Sequence, residues 1–151
     1  MGEKVLCENR KARHDYSIEE TYEAGLALQG TEVKSLRLGK GNLKDGYVQI
    51  EGLEAFLHHT HISPYPHAHQ FNHDPERVRK LLLHKREIRR LQGKTKERGY
   101  TVVPLKIYLK RGKMKIEIGL AKGKTLYDKR EVLKKRSADR EIEKVLKGSK
   151  G

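Results

Sequence analysis

The sequence has little of what several large classes of protein require. Its single cysteine, Cys7, excludes a disulfide framework and most zinc modules, so we expect a reduced thiol in the cytoplasm. No apolar run approaches the roughly 20 residues of a membrane-spanning helix. The first residues, MGEKVLCENRKAR, contain no apolar stretch long enough for a secretory signal, and none is expected.

Apolar residues are also scarce, at 35% of the 151 residues, so the chain can build only a small core. Charge is present in excess, because 34 Lys and Arg against 20 Asp and Glu give a net charge of +14. A field of this sign attracts polyanions. Nucleic acid is therefore the first candidate partner, and an anionic membrane surface is the second.

Alternation of apolar and polar residues predicts several β-strands. At the even positions of residues 16–28, six of seven side chains are apolar or aromatic, which favours a strand over a helix capped by Ser17 and Glu20. Residues 46–62 predict a hairpin that turns near Gly52. A clearer hairpin is predicted over 100–122, with a short turn at Arg111-Gly112. In its first strand, one face is predicted to carry Leu105, Ile107 and Leu109, and the other Lys106, Tyr108 and Lys110.

Short helices are predicted in three places. Thr31 can cap one helix, and Asp74-Pro75 is a favourable start for another. The run over residues 79–93 allows two interpretations, one continuous helix or an extended segment followed by a helix from near His84. We prefer the second.

At least five short strands with few helices predict a mainly β protein, specifically a small closed β-barrel of the oligonucleotide-binding type, because closure removes exposed strand edges. We expect three parts. Residues 1–13 form a flexible basic segment and residues 14–123 the barrel. Residues 124–151 form a basic tail with too few apolar residues for a second core, and we expect it to be disordered alone and helical on its binding surface.

The histidines raise the possibility of a metal site, and six of them fall between residues 58 and 73. Cysteine and acidic partners are missing nearby, so we expect solvated or hydrogen-bonded histidines and no metal. Phosphate-binding loops, dinucleotide fingerprints and nucleophile elbows are also missing from the sequence. We therefore expect no cofactor and no enzymatic activity. The histidines concerned are His58, His59, His61, His67, His69 and His73.

Basic residues recur in three zones, at both ends and in the middle of the chain. Tyrosines are interleaved with them. Cations beside stacking surfaces are what unpaired RNA bases and phosphates require, so this pattern indicates RNA binding. The tyrosines are Tyr16, Tyr65, Tyr100, Tyr108 and Tyr127.

Six stretches together resemble one family, the bacterial tmRNA-binding protein, also called small protein B or SsrA-binding protein. They occur in the family's order and spacing over nearly the whole chain. The stretches are NRKARHDY (9–16), EAGLALQGTEVKSLRLGK (23–40), HISPY (61–65), RKLLLHKREI (79–88), GYTVVPLKIY (99–108) and LAKGKTLYDKR (120–130).

This resemblance implies a non-enzymatic protein with an oligonucleotide-binding-type barrel, flanking helices and a tail that is disordered in isolation. It implies binding to the tRNA-like part of tmRNA, and delivery of that alanine-charged RNA to ribosomes stalled without a stop codon. Elongation factor Tu and alanyl-tRNA synthetase would act on the same RNA. We expect a cytoplasmic monomer, one per tmRNA, without a membrane partner.

The resemblance also assigns residues. Positions that match the family's RNA contacts are His14, Glu23, Leu82, Lys115, Lys122, Gly123 and Lys124. The tail is expected to be helical on the ribosome, where it enters the mRNA channel and decoding centre of the small ribosomal subunit. Its motif there is Tyr127, Asp128, Lys129 and Arg130, where Tyr127 stands in the place of a histidine in some relatives.

Two other functions remain open from the residues alone. One is a general single-stranded RNA chaperone of the cold-shock type, and the other is a basic ribosomal protein. Competition between tmRNA and random RNA of equal length separates these two functions from tmRNA binding, because only a tmRNA-binding protein should prefer tmRNA by orders of magnitude.

Overall fold

A computed structural model describes residues 3–68 and 71–123 as a mainly β chain with three short helices. The predicted tail, residues 124–151, lies outside the described residues. The strands are β1 Glu3–Glu8, β2 Tyr16–Leu26, β3 Gly41–Asn42, β4 Tyr47–Glu51, β5 Glu54–His58, β6 His61–Ile62, β7 Arg79–Leu82, β8 Tyr100–Lys110 and β9 Lys113–Gly123. The helices are α1 Arg10–Asp15, α2 Gly30–Arg37 and α3 Lys85–Thr95.

The main sheet closes on itself. Its strands pair antiparallel in the order β8, β4, β5, β7, β2 and β9, and β9 pairs with β8 again. Strand β8 is long enough to pair with β9 along one edge and with both β1 and β4 along the other. The ring therefore leaves few unpaired edges in the described chain.

Most of the apolar positions predicted by alternation face the inside of this ring. Both predicted hairpins are confirmed, with turns at Gly52 and at Arg111-Gly112. The strand interpretation of residues 16–28 is confirmed over β2. The inner core includes Ala24, Leu26, Val48, Leu57, Leu81, Val102, Ile107, Ile116, Ile118 and Leu120.

Leu105 departs from the predicted alternation, and so do Tyr16 and Ile18 at the start of β2, which pack in the same cluster outside the ring. The pairing of β8 with β9 shifts between Pro104 and Lys106, so a β-bulge moves Leu105 off the inner face. Leu105 is fully buried outside the ring, against α1, with Ala12 and Ala121. Placing Leu105 on the face of Ile107 was wrong, because a strict period of two does not survive an inserted residue.

The start of the chain is structured where a flexible segment was expected. Residues Glu3–Glu8 form β1 on the edge of β8, and α1 follows. Between them, the buried Asn9 side chain donates to the carbonyls of Leu43 and Pro104 at 3.0 and 2.8 Å. Its oxygen accepts from the backbone N–H of Ala12 at 3.1 Å, which caps α1. These contacts, from residues far away in sequence, order the segment.

Two of the three helix predictions need correction. Helix α2 begins at Gly30 with Gln29 as its N-cap, not Thr31, and the Gln29 N–H donates to Glu32 at 2.8 Å. No helix begins at Asp74-Pro75, because the Asp74 carboxylate accepts from the Glu76 N–H in a turn.

The preferred interpretation of residues 79–93 is confirmed. Strand β7 is followed by α3, whose N-cap is His84. The Glu87 carboxylate accepts a hydrogen bond from the His84 N–H at 3.0 Å. This is the capping-box arrangement, and it excludes a continuous helix over the run.

A buried ion pair anchors the start of β7. Arg79 and Glu32 are both fully buried, and the Arg79 Nε donates to Glu32 at 2.8 Å. Arg77 donates to the other carboxylate oxygen at 2.7 Å, and Arg79 also donates to the Thr60 and Pro75 carbonyls. Burial opposes ionisation of Glu32, but these hydrogen bonds outweigh it and its pKa is lowered.

We expect that Arg79→Met lowers the free energy of unfolding by about 3–5 kcal/mol, because it removes the fully buried partner of the Glu32 carboxylate and leaves the Thr60 and Pro75 carbonyls without their donor. Urea unfolding followed by circular dichroism measures this. The control is Lys80→Ala, which breaks only an exposed pair with Glu54 and should change the free energy by about 0–1 kcal/mol. Equal effects of the two variants would contradict the assignment.

Candidate nucleic-acid interface

The outer face of the ring carries a row of paired residues across four strands. Gly25 on β2 pairs with Leu82 on β7 along one edge and with Lys115 on β9 along the other. Lys115 pairs in turn with Tyr108 on β8. Directly paired residues have Cβ atoms about 5 Å apart, so three strands bring Leu82 and Lys115 to either side of one glycine.

Gly25 leaves room for the Leu82 side chain, which lies over it in the middle of this row. A Cβ at this position would approach the Leu82 Cβ to 3.2 Å. The Leu82 side chain is 56% exposed although it is apolar, and Leu81 beside it is buried in the ring. An exposed leucine packed over the Gly25 backbone forms a small apolar surface, and Lys115 lies on the other side of Gly25.

Glu23 lies on the same face, two positions before Gly25. Its carboxylate accepts from the Tyr108 hydroxyl at 2.5 Å and from the Lys110 ammonium at 3.2 Å. The Tyr108 bond is the largest cause of a lowered Glu23 pKa; partial burial opposes it, and Lys110 adds to it. Glu23 is therefore an ionised acceptor at neutral pH.

A second carboxylate stands directly opposite Glu23. Glu117 is its paired residue on β9, and like charges in this position repel each other. The Arg13 guanidinium of α1 donates to Glu117 at 3.1 Å, and Lys106 is paired with Glu117 on its other side. Cations from two elements thus offset the repulsion.

The structure brings together three of the predicted RNA contacts, Glu23, Leu82 and Lys115. His14 lies apart on α1, highly exposed, with its Nδ1 3.0 Å from an Asp15 carboxylate oxygen. Lys122 and Gly123 lie at the far end of β9, about 23 Å along the strand from Lys115. Lys124 and the tail motif from Tyr127 to Arg130 lie outside the described residues.

Sequence reasoning missed the residues that hold the Glu23 carboxylate. Tyr108 was noted as an aromatic residue on the outer face, but its pairing with Glu23 spans 85 positions. Lys110 was predicted on the same face, but its contact with Glu23 was not. Alternation shows which face a side chain occupies, whereas strand register decides what it touches.

Tyrosine and lysine side chains are interleaved in space as well as in sequence. The ammonium groups of Lys34, Lys106 and Lys122 lie 5.2–5.5 Å from the ring centres of Tyr65, Tyr108 and Tyr100 respectively. These distances are within the range of cation–π contacts.

The described histidines make local contacts. His73 bridges Thr31 and the Ile62 carbonyl, with 2.8 Å to each, and His61 contacts Glu76 at 2.8 Å. His58 stacks on Tyr47 with ring centres 5.1 Å apart. In residues 3–68 and 71–123, no group of three or more His, Cys, Asp or Glu could hold a metal ion.

Cys7 is half-buried, and burial raises the pKa of its thiol to about 11. The thiol therefore stays protonated at neutral pH. None of the helices that the structure describes is long and apolar enough to cross a membrane.

A basic, mainly β chain with lysine–tyrosine pairs on its outer surface has the features of a nucleic-acid-binding protein. A family model described as "SmpB protein" matches residues 6–148. The chain belongs to this family.

Its relatives match over nearly their whole length. A protein of Geobacillus thermodenitrificans (strain NG80-2) named "SsrA-binding protein" is 61% identical over 95% of this chain and 93% of its own. A protein of the same name from Carboxydothermus hydrogenoformans (strain ATCC BAA-161 / DSM 6008 / Z-2901) is 62% identical over 96% and 97%. A solved structure described as "tmRNA-SmpB: a journey to the center of the bacterial ribosome" has a TM-score of 0.67 and 55% identity, covering 78% of this chain and 83% of that one.

Proposed function

We propose that this chain binds the tRNA-like part of tmRNA, the SsrA RNA, and delivers it to stalled ribosomes in trans-translation. The observation that carries the proposal is the match to proteins named "SsrA-binding protein" at about 60% identity over 95% of the chain or more. Membership of the SmpB family and the similarity to a tmRNA–SmpB structure agree with it.

The RNA site that we propose is the outer face around Gly25. Glu23, Leu82 and Lys115 meet there, and they supply an acceptor, an apolar surface and a cation. His14, Lys122, Gly123 and Lys124 extend the contact in this proposal. The closed ring supports an oligonucleotide-binding-type barrel as the scaffold over residues 14–123, with β1 as an addition at its edge.

The role of the protein in this proposal is to bind and carry RNA, without catalysis, a cofactor or a metal. It acts as a monomer in the cytoplasm, one per tmRNA. Elongation factor Tu and alanyl-tRNA synthetase act on the same RNA.

A general RNA chaperone needs one continuous stacking face. Here Tyr65 and Tyr108 lie on different elements, each under its own lysine, and the Tyr108 ring is almost fully buried. That arrangement favours contacts at defined places over sequence-tolerant stacking along a strand.

Truncation after Gly123 should leave tmRNA affinity within about tenfold, or roughly 1.4 kcal/mol, because Glu23, Leu82 and Lys115 remain. The measurement is a gel shift with labelled tmRNA and random RNA of equal length as competitor. Full chain and truncated chain should both prefer tmRNA by orders of magnitude. An affinity loss of three orders of magnitude on truncation would place the RNA site in the tail instead.

The tail serves a second partner in this proposal. Residues 124–151 are basic and poor in apolar side chains, so the tail can remain unfolded until ribosomal RNA offsets its charge. We assign Tyr127, Asp128, Lys129 and Arg130 to the decoding centre and the mRNA channel of the small subunit. The Tyr127 ring can stack on an exposed base there, a contact of about 1–3 kcal/mol.

Replacing these four residues together by alanine should abolish peptide tagging and leave tmRNA binding intact, since the outer face of the ring is unchanged. The assay is alanine transfer from charged tmRNA to a nascent chain on a stalled ribosome, beside a gel shift with tmRNA alone. Normal transfer, or equal loss in both assays, would refute this division between ring and tail.

A further inference from the structure

A groove opens beside α1 on the outer surface of the ring, at the opposite end of β2 from Gly25. Its volume is about 350 Å³, which is at the lower end of the range of ligand pockets. Ala12 of α1 and Val103 of β8 line it and are buried, so they lie at its base. Tyr16 and Tyr47 also line it. A space of this size, with an apolar base and two tyrosines, suits one aromatic side chain.

Charged side chains surround the opening of the groove. Lys11 and Asp45 face each other at 4.0 Å, and both are more than half exposed. The Asp15 carboxylate lies 3.0 Å from His14. The Lys44 ammonium has no hydrogen bond or ion pair with any residue from 3 to 68 or from 71 to 123. The rim therefore carries one cation that lacks a counter-charge in that part of the chain.

The described chain ends beside this groove. Gly123, the last residue of β9, pairs with Tyr16, and its N–H donates to the Gly99 carbonyl. Thr101, which lines the groove, is two residues along β8 from Gly99, so it lies about 8 Å from Gly123. A glycine at this point allows the chain to reverse direction. Residues 124–127 can span about 13 Å, so the Tyr127 side chain can reach the groove.

The first residues of the tail carry groups that complement the groove. Leu126 and Tyr127 are the first apolar residues after Gly123, and Tyr127 is the only aromatic residue in 124–151. Asp128 follows directly, and its carboxylate can pair with the Lys44 ammonium. Because a short tether gives an effective concentration on the order of mM, a contact too weak for a separate peptide can form here.

We propose that this groove binds the first segment of the chain's own tail in the free protein. The Tyr127 ring lies between Tyr16 and Tyr47, and the Asp128 carboxylate pairs with Lys44. Residues from Lys129 onward take no part in this contact.

The consequence of this contact rests on the proposed function. Tyr127 and Asp128 cannot contact ribosomal RNA while they are bound in the groove. The groove therefore withholds the decoding-centre motif until the ribosome displaces it.

The test is fluorescence quenching of the free full chain. The sequence has no tryptophan, so Tyr127→Trp introduces a single indole that can be excited selectively. The reference is a peptide of residues 124–135 with the same substitution. We expect acrylamide to quench the indole in the full chain at least about twofold less than in the peptide, because a pocket covers most of the surface of its ligand.

Two changes in the groove should abolish this shielding in the Tyr127→Trp protein. Thr101→Tyr fills the groove with a second ring, and Lys44→Glu places a carboxylate opposite Asp128. Each should raise quenching to the level of the peptide. Adding Asp128→Lys to the Lys44→Glu protein should restore the shielding, because it re-forms the ion pair with its charges exchanged.

Two matched controls make the same changes outside the groove. Thr21→Tyr lies on an exposed position of β2, and Lys113→Glu lies at the other end of β9 from Gly123. Both should leave the shielding unchanged. Thermal unfolding of all variants checks the fold, and the exposed Lys44→Glu change provides the test even if Thr101→Tyr is destabilised.

Three results would overturn the inference. One is quenching of the starting protein that equals that of the peptide. Another is shielding that survives both Lys44→Glu and folded Thr101→Tyr. The third is shielding that weakens on dilution, which would mean that the tail of a second copy occupies the groove. These measurements contain no RNA, so a chain without preference for tmRNA would overturn the proposed function and leave the groove contact standing.

Discussion

The buried pair of Glu32 and Arg79 is the interaction on which the rest of the site depends. Arg79 is the first residue of β7, and its guanidinium is fixed by α2 through Glu32 and by the Thr60 and Pro75 carbonyls. An unpaired charge at this depth would cost several kcal/mol, so the alternatives to this arrangement are unfavourable. The pair therefore fixes where β7 starts, and with it which residue of β7 faces outward.

From that anchor, strand geometry places the outer face. Leu81 enters the ring and Leu82 leaves it, three positions after Arg79, opposite Gly25. On the other edge of β2, the long pairing with β9 brings Lys115 to the same glycine. A one-residue slip of β7 would bury Leu82 and expose Leu81, so the buried pair and the RNA face are linked through register.

Much of the fold follows from local pattern, and the exceptions have specific causes. Alternation predicts β2 and both hairpins, and the capping signal at His84 and Glu87 places α3. Alternation cannot reveal the bulge at Leu105, because the extra residue is stabilised by α1 packing outside the ring. The sequence near Asn9 predicts a flexible segment because the contacts that order it are also non-local: the Asn9 side chain donates to the carbonyls of Leu43 and Pro104. The candidate site likewise combines a predictable and an unpredictable part. The family resemblance assigns Glu23, whereas only the strand register shows that the Tyr108 hydroxyl donates to it.

The central claim is that this chain selects tmRNA among cellular RNAs. The most direct measurement is sequencing of the RNA that remains bound when the full chain is purified from bacteria that make tmRNA, with a salt wash to remove RNA held by charge alone. The account predicts that tmRNA dominates, far above its share of total RNA. A bound pool that mirrors the abundance of cellular RNAs, or consists mainly of ribosomal fragments, would contradict it.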